Sequence, residues 1–426
     1  MSELSIEPDM PEEKLKEVPI QRKPEKARLE WVDMARGFVM LYLVATISFP
    51  GDSGLDLSGL SILRGLFTHA SAGSGLITLY DLGAPAFLFL LGFTMPISFR
   101  KRKEQKGPTS ARRYIIFRYL ALLILGFVIA NIDLEFLKYY SFPEGRNFIY
   151  EGSIPLYHRP VLYIIPWDVV PSIAIAGLVG FIFMGVRNPR YRFFLGYGWA
   201  ILYQVGLYTT ELDTYALNSI HGGVFGSIMG YGSIVIIATA MGDLIFFSDT
   251  IETKKYRGML IFGIFNLTIT VVVLYLALRG IFIPAFTLSK HLVSFPFIVT
   301  AIGLSCVVLW GFYQLNTRFK LKLIWLQIFG ISPFFIYFIA EVPDSLFEIL
   351  TDELGLSVTW WISLIWGLVV LGYCTYVAWY MHKNKKRVST LKASLIFLVT
   401  ILGILLIVIL LDGFGVVDLL DAINTW

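Results

Sequence analysis

Long apolar stretches dominate this sequence and restrict what it can fold into. A helix needs roughly 20 mostly apolar residues to cross about 30 Å of hydrocarbon, and eleven stretches qualify when the first is allowed to be short. Only 15% of the residues are charged and the mean hydropathy is +0.69, too few charges to cover such a core in water. The sequence predicts an all-α, polytopic integral membrane helix bundle of about 11 transmembrane helices. The predicted spans are residues 33–50, 79–99, 114–132, 161–186, 193–209, 224–247, 258–278, 294–315, 323–341, 358–381 and 393–411.

The positions of the basic residues predict the orientation. Lys and Arg in short loops favour the cytoplasmic side. With a cytoplasmic N-terminus, all but six of the 35 Lys and Arg residues lie in or beside cytoplasmic segments. The bias is uniform, because every loop assigned to that side is basic. These loops are residues 100–113, 187–192, 254–257, 318–322 and 383–392.

The remaining composition excludes several classes of protein. Residues 1–27 are polar and proline-rich, which predicts a disordered or interfacial cytoplasmic tail before a transmembrane domain over residues 28–426. The only two cysteines, Cys306 and Cys374, lie in apolar stretches, so neither a disulfide framework nor a Cys/His metal cluster is expected. The basic residues are scattered over many loops. Nucleic acid is therefore not an expected partner, whereas the lipid bilayer is.

Polar residues gather on the predicted external side. Four of the five histidines fall there: His69, His158, His221 and His291. Histidine suits proton transfer near neutral pH, although a hydrogen-bonded loop histidine is the more common occurrence. The external loops 51–78, 133–160 and 279–293 are long and rich in Gly, Pro and aromatics, and loops often carry function.

Four carboxylates lie in or at the ends of the predicted spans: Asp33, Asp81, Asp168 and Asp243. Ionisable groups at membrane depth are costly and usually face a bundle interior or a wet cavity. Their structural interpretation is helix capping or a buried pair with arginine. Asp33 and Arg36 have the i, i+3 spacing that lets them pair on one helix face.

An ordered set of segments resembles a known family, the transmembrane acyltransferases related to heparan-alpha-glucosaminide N-acetyltransferase, which has many bacterial and archaeal members. The resemblance covers most of the chain after the tail. The segments that carry it are Arg28-Leu-Glu-Trp-Val-Asp33-Met-Ala-Arg36-Gly37, Thr68-His69-Ala-Ser71, Gly75-Leu76-Ile-Thr78, Asp81-Leu-Gly-Ala-Pro85-Ala-Phe87-Leu-Phe89-Leu-Leu-Gly92 with Ser98, and, more faintly, Trp167-Asp168-Val-Val-Pro-Ser172-Ile, His221-Gly222-Gly223 and Ile331-Ser332-Pro333-Phe-Phe-Ile-Tyr337.

This resemblance implies transfer of an acetyl group from cytoplasmic acetyl-CoA to an acceptor across the membrane, an amino sugar or glycan, with no metal. His69 corresponds to the active histidine of the family and would act as general base or as acyl relay. Asp81 or Asp168 would orient its imidazole. Two further groups complete the predicted site. Arg36, Arg100, Arg112 and Arg113 would hold the CoA phosphates, while His221, Lys290 and Ser71 would contact the acceptor or stabilise an oxyanion.

Two departures from the family pattern fall near the acceptor side. Ala72 stands where the best-known members have Trp, and the stretch from His69 to Asp81 is about two residues longer. Residues Thr46-Ile47-Ser48 stand where those members have an Asn near the outer end of span one. These departures bear on which acceptor the protein would use more than on its fold.

Two alternatives remain open. An O-acyltransferase of surface polysaccharide differs only in the acceptor nucleophile. A proton-coupled transporter or flippase would use the same His and Asp groups, although it usually carries internal repeats, and none is obvious here. The one Asn-X-Thr sequon, at Asn266, lies within a predicted span and could not be glycosylated. This favours a multi-pass protein of a prokaryotic cytoplasmic membrane, and the resemblance permits a homodimer.

Overall fold

A computed structural model of the chain describes residues 30–48, 70, 77–132, 167–217, 219–281, 287–353 and 360–413. These residues are mostly helical, and no β-strand occurs among them. The predicted tail, His69 and Ser71 lie outside the described residues, as do most of the predicted external loops 51–78 and 133–160.

Thirteen α-helices occur within the described residues and are numbered here in chain order. They are α1 Glu30–Ser48, α2 Gly83–Lys106, α3 Pro108–Ile132, α4 Val169–Phe183, α5 Pro189–Thr209, α6 Leu212–Leu217, α7 Gly223–Phe247, α8 Glu252–Leu278, α9 Phe295–Thr317, α10 Ile324–Gly330, α11 Pro333–Glu353, α12 Trp360–Lys383 and α13 Thr390–Gly413.

Six of these helices are long and apolar enough to cross a membrane: α1, α2 with the turn before it, α7, α8, α9 and the greater part of α12. The bent pair α10–α11 makes a seventh if it is counted as one span, and α4 and the first part of α13 are shorter apolar helices. All eleven predicted spans contain helix. The described chain is thus a helical bundle with the composition of a membrane protein.

The ninth predicted span differs from the expectation of one straight helix. Residues 323–341 contain two helices, α10 and the start of α11, which meet at 82°. The break falls at Ile331-Ser332, immediately before Pro333. Proline lacks an N–H and disfavours helical backbone in the residue before it, so α10 ends here. The Ser332 hydroxyl accepts a hydrogen bond from the backbone N–H of Val388 at 3.0 Å, which ties the break to the start of α13.

Helix α7 lies at the centre of the bundle and packs against α2, α4 and α5. Of its most apolar stretch 78% is buried, compared with 22% for α8. Helix α8 packs mainly on α9 and leaves side chains such as Ile264 and Val271 exposed. An apolar helix with this much exposed surface suits contact with lipid rather than water.

Helices α1 and α10 approach closely through two glycines. A Cβ on Gly37 would lie 1.7 Å from the Leu326 carbonyl oxygen, and a Cβ on Gly330 would lie 2.4 Å from that of Asp33. Arg36 donates to the carbonyl oxygen of Gly330 at 3.4 Å and pairs with Asp33 at 3.6 Å. The i, i+3 pair predicted from the sequence therefore forms, and the adjoining glycine serves the helix crossing.

A partly buried ion cluster joins three other helices. Asp243 of α7 pairs with Arg100 of α2 at 2.7 Å and also with the buried Arg192 of α5. Asp243 thus has the structural role of an arginine-paired acid. Both cysteines are buried thiols that form no disulfide, as their positions in the sequence indicated.

Replacing Gly37 with alanine should destabilise the protein by about 1–3 kcal/mol or more, because the new Cβ meets backbone rather than a side chain that can turn away. The measurement is thermal unfolding of the purified full-length protein in detergent. Gly198→Ala is the matched control, since a Cβ there meets nothing within 4 Å. Equal stability of the two variants would contradict the close helix crossing.

Candidate functional site

A cavity of about 200 Å³ lies at one end of the bundle. Four residues predicted from the sequence line it together: Asp81, Asp168, His221 and Lys290. They come from four distant parts of the chain, so only the fold brings them into one place. The other lining residues are Met40, Leu43, Thr46, Ile47, Tyr80, Ala84, Phe87, Val169, Val170, Ile173, Phe334, Tyr337 and Glu341.

Asp81 is 2% exposed and lies in the short 3₁₀ turn before α2. Its Oδ2 accepts hydrogen bonds from the Thr78 N–H at 2.9 Å, the Thr78 hydroxyl at 3.0 Å and the Ala70 N–H at 3.3 Å. The Thr78 hydroxyl also accepts from the Asp81 N–H at 3.4 Å. A carboxylate that accepts several hydrogen bonds is stabilised in its charged form even when buried.

Lys290 supplies the opposite charge. Its Nζ lies 4.0 Å from Asp81 Oδ1, and its side chain is 11% exposed. The segment that carries it is held by the Tyr203 hydroxyl, which donates to the carbonyl of Leu292 at 2.9 Å, and by Gln204, which accepts from the Phe295 N–H at 2.7 Å. The backbone of the segment that follows Lys290 is therefore held from α5.

Burial lowers the pKa of Lys290 from its usual 10.5 to about 8, because the charged form loses water. The negative charges of Asp81 and Asp168 act in the opposite direction and keep the pKa from falling further. A lysine with this pKa exists in both charged and neutral forms near physiological pH.

His221 lies at an irregular start of the central helix. Its backbone has φ 56°, and Gly222 follows with φ 70°. A left-handed conformation costs a non-glycine residue roughly 1 kcal/mol, and such residues occur often at functional sites. The imidazole is buried, and its Nδ1 lies 2.9 Å from the Tyr231 hydroxyl, which belongs to a π-helical turn of α7. This contact fixes the ring against the cavity wall.

Asp168 occupies the N-cap position of α4, but its side chain makes no capping hydrogen bond. Its backbone carbonyl instead accepts from the Ser172 hydroxyl at 2.9 Å. The preceding Trp167 indole donates to the hydroxyls of Ser172 and Ser227 at 3.0 and 2.8 Å. These contacts hold the backbone at Asp168, and its carboxylate lines the cavity.

Sequence reasoning missed Glu341, Tyr337 and Tyr80. Glu341 and Tyr337 lie one helical turn apart on α11 and hydrogen-bond each other. One signal was present in the sequence, since Glu341 stands at the outer end of the ninth predicted span, two residues before Pro343. Phe87 of α2 and Phe334 of α11, whose rings are 5.1 Å apart, join these helices along the cavity wall.

The four arginines predicted to hold phosphates do not line this cavity. Arg36 lies one helical turn before Met40, the first cavity residue of α1, and is paired as described above. Arg100 lies 13 residues beyond Phe87 on α2, which is about 20 Å along a helix, and pairs with Asp243. Arg112 and Arg113 are exposed near the start of α3.

The cavity therefore combines three carboxyl side chains, one lysine, one histidine and two tyrosines on a largely apolar wall. Such a set can bind a polar ligand, donate and accept protons, and stabilise charge that develops during a reaction. Within the described residues, no group of three or more His, Cys, Asp and Glu side chains is arranged to hold a metal ion.

A scan of the chain against protein-family models finds no match, and a comparison with curated proteins finds none either. The family resemblance consequently depends on the residues quoted for it.

The pKa of Lys290 predicts a pH dependence of stability. The folded-state pKa of about 8 lies below the unfolded value of 10.5. The unfolded chain therefore binds more protons between these pH values, and the free energy of unfolding rises with pH across that window. Relative to Lys290→Met, wild type should gain on the order of 3 kcal/mol between pH 8 and 10.5. Chemical unfolding in detergent measures this gain.

Lys103→Met, which removes an exposed lysine from α2, is the control and should give a profile parallel to wild type. A Lys290→Met profile that is also parallel to wild type would show that the lysine titrates with an ordinary pKa.

Proposed function

We propose that the protein is an acyl-CoA-dependent membrane acyltransferase that moves an acetyl group from cytoplasmic acetyl-CoA to an extracytoplasmic acceptor, an amino sugar or glycan. The observation that carries the proposal is the convergence of Asp81, Asp168, His221 and Lys290 on one cavity. The sequence analysis had proposed roles for all four residues in one site, although they are up to 209 positions apart in the sequence.

In this proposal the chain crosses a prokaryotic cytoplasmic membrane eleven times, with its N-terminus in the cytoplasm. The bias of Lys and Arg towards alternate loops supports that orientation. The cavity would then open towards the external side, because its residues come from the outer halves or outer ends of the proposed spans. The basic ends would face the cytoplasm, where the anionic donor is available.

His69 would be the catalytic residue of this site. The next residue in the chain, Ala70, donates its N–H to Asp81 at 3.3 Å. This hydrogen bond ties the segment that follows the histidine to the buried carboxylate. Asp81 is therefore the better candidate of the two predicted acids for a positioning role, and Asp168 lines the same cavity.

Two chemical sequences fit a histidine in this role. As general base, the imidazole takes the proton of the acceptor amine or hydroxyl while that atom attacks the thioester carbonyl. The C–S bond then breaks, and the CoA thiolate receives the proton from the imidazolium. As relay, the imidazole itself attacks the thioester carbonyl, the C–S bond breaks, and the CoA thiolate takes the imidazole proton. The acceptor then attacks the acyl-imidazole, the C–N bond to the ring breaks, and the acceptor's proton returns to the imidazole.

Lys290 and His221 would assist by contacting the acceptor or the oxyanion that forms on the carbonyl. Ser71 is also proposed to contact the acceptor, because it follows His69 by two residues in the sequence. A protonated Lys290 stabilises negative charge on the carbonyl oxygen, whereas its neutral form above pH 8 does not. The acceptor nucleophile, nitrogen or oxygen, separates N-acetylation from O-acylation of surface polysaccharide, and the same residues serve both reactions.

A proton-coupled transporter or flippase is the second candidate. It is favoured by the 82° break between α10 and α11, since discontinuous helices are common in transporters. The buried pair of Asp81 and Lys290 also suits proton coupling. Ligand that binds only the folded state raises its melting temperature, so stabilisation by CoA favours the enzyme over the transporter.

Acetyl-CoA turnover tests the proposed reaction. Purified protein in detergent, given radiolabelled acetyl-CoA with and without an amino sugar, should hydrolyse the donor or transfer its label. His69→Ala should lower the rate by about 10²- to 10⁴-fold, the usual contribution of a general base. His382→Ala, an exposed histidine at the end of α12, is the control and should retain the rate. Label that remains on the protein would favour the acyl relay.

Absence of both binding and turnover of acetyl-CoA in wild type would contradict the enzyme proposal and leave the transporter as the better reading. Turnover that survives in His69→Ala would reject the histidine while preserving the reaction class.

Cysteine labelling tests the proposed sidedness. In a background with both native cysteines replaced by alanine, Glu211→Cys should react in intact cells with a membrane-impermeant maleimide. Arg387→Cys should react only after the membrane is opened. Both positions are exposed, so the side of the membrane on which each residue lies determines whether it reacts in intact cells. The reverse pattern would place the cavity at the cytoplasmic face.

A further inference from the structure

A second cavity, of about 420 Å³, lies between the first turns of α8 and the last turns of α9. Its wall includes the aromatic side chains Tyr256, Trp310 and Tyr313, the amide of Gln314, and the guanidinium groups of Arg257 and Arg318. The volume falls in the usual range for small-molecule sites. It shares no lining residue with the cavity that holds Asp81.

The two arginines of this cavity are available to an anion. Among the described residues, no carboxylate lies within salt-bridge distance of Arg257 or Arg318, and both side chains are exposed. In contrast, Arg36 and Arg100 are already paired with Asp33 and Asp243. Phosphate is the usual partner of such arginines, because the guanidinium group presents several donors in a fixed plane.

The floor of the cavity is aromatic. The rings of Tyr256 and Tyr313 stack with their centroids 3.5 Å apart, and Trp31 packs edge-on against both at 5.5 and 6.0 Å. Trp310 is partly exposed on the same wall. Tyr256 and Tyr313 are buried in this stack, so Trp310 is the side chain of the wall on which a flat nucleobase can pack. One acid, Glu252, reaches the Tyr313 hydroxyl at the rim, so arginines outnumber acids there.

Helix α1 contacts both cavities, because its Trp31 packs on Tyr256 and Tyr313 of the second cavity and its later residues line the first. Trp31 lies at its beginning, and Met40, nine residues further, is the first α1 residue that lines the cavity with Asp81. Nine helical residues span about 14 Å. The pantetheine arm of CoA has about twelve bonds between phosphate and sulfur. Roughly four residues of extended polypeptide contain the same number of backbone bonds, so the arm reaches about 14 Å.

From these observations we infer that the cavity between α8 and α9 binds the phosphorylated adenosine end of acyl-CoA. Arg257 and Arg318 contact its phosphates, and the aromatic wall contacts its base. The assignment rests on the proposed acyltransferase function and replaces the four arginines that the sequence had favoured for the phosphates.

Phosphate is also the anionic group of phospholipids, and arginines at helix ends often contact lipid headgroups. A headgroup phosphate requires neither a cavity of this volume nor the amide of Gln314 and the aromatic wall. These features match a nucleotide. The experiment must nevertheless separate these two sources of phosphate.

Competition binding with the full-length protein in nanodiscs of zwitterionic lipid tests the inference. Adenosine 3′,5′-bisphosphate should displace radiolabelled CoA from wild type, while pantetheine, which lacks the nucleotide, should compete poorly. Arg257→Ala and Arg318→Ala should each weaken binding of CoA and of the bisphosphate roughly tenfold or more, as expected for a lost charge-assisted hydrogen bond. Arg187→Ala, an exposed arginine of another basic loop, is the control and should bind as wild type does.

The outcomes distinguish this site from the proposed reaction. Wild-type turnover with unchanged CoA affinity in both arginine variants would overturn the nucleotide site and leave the acyltransferase intact. Arginine-dependent binding of the bisphosphate without acetyl transfer would support the site and count against the reaction. Failure of CoA and the bisphosphate to bind, together with stabilisation by anionic lipid that both variants lose, would overturn the site in favour of a lipid headgroup.

Discussion

The buried carboxylate of Asp81 is the interaction on which the proposed site depends. A charge that is 2% exposed must be compensated, because its desolvation costs several kcal/mol. Thr78 and Ala70 supply hydrogen bonds and Lys290 supplies the opposite charge. These partners belong to three separate segments of the chain. The compensation of one charge thus fixes the relative positions of the turn before α2, the residue after His69 and the segment before α9.

The two cavities described above, both lined by residues that the structure describes, differ in their charge. One contains three carboxyl side chains and one lysine, whereas the other contains two arginines that no described carboxylate pairs with. A highly anionic donor would be repelled by the first and attracted by the second. A ligand in which a slender arm connects the phosphates with the thioester can occupy both cavities. This separation favours a donor held at one end and an acceptor recognised at the other.

Much of the fold follows from the sequence because apolar length alone determines where helices can cross a membrane. The break between α10 and α11 was missed, although Pro333 marks it, because a hydropathy window averages across a proline. The lining of the first cavity was predicted in part. Asp81 and Asp168 were found as acids at span ends, but Glu341 was overlooked, and Arg36 and Arg100 were assigned to phosphate although nearby acids pair with them. The Asp33 partner of Arg36 was visible in the sequence spacing. Glu341 and the Asp243 partner of Arg100 come from distant segments, and a linear sequence does not show such contacts.

The Arg36-Gly37 pair shows how a short motif can fix the packing of two helices. Gly37 allows the backbone of α10 to approach α1, and Arg36 holds the carbonyl of Gly330 at the end of α10. The helix break follows directly, and α11 then carries Phe334, Tyr337 and Glu341 to the cavity. A substitution at Arg36 or Gly37 would therefore shift the α11 wall of the cavity that contains Asp81, although neither residue lines that cavity. Loss of activity in an Arg36 variant would for this reason not demonstrate contact with a ligand, whereas the exposed arginines between α8 and α9 support no such helix crossing.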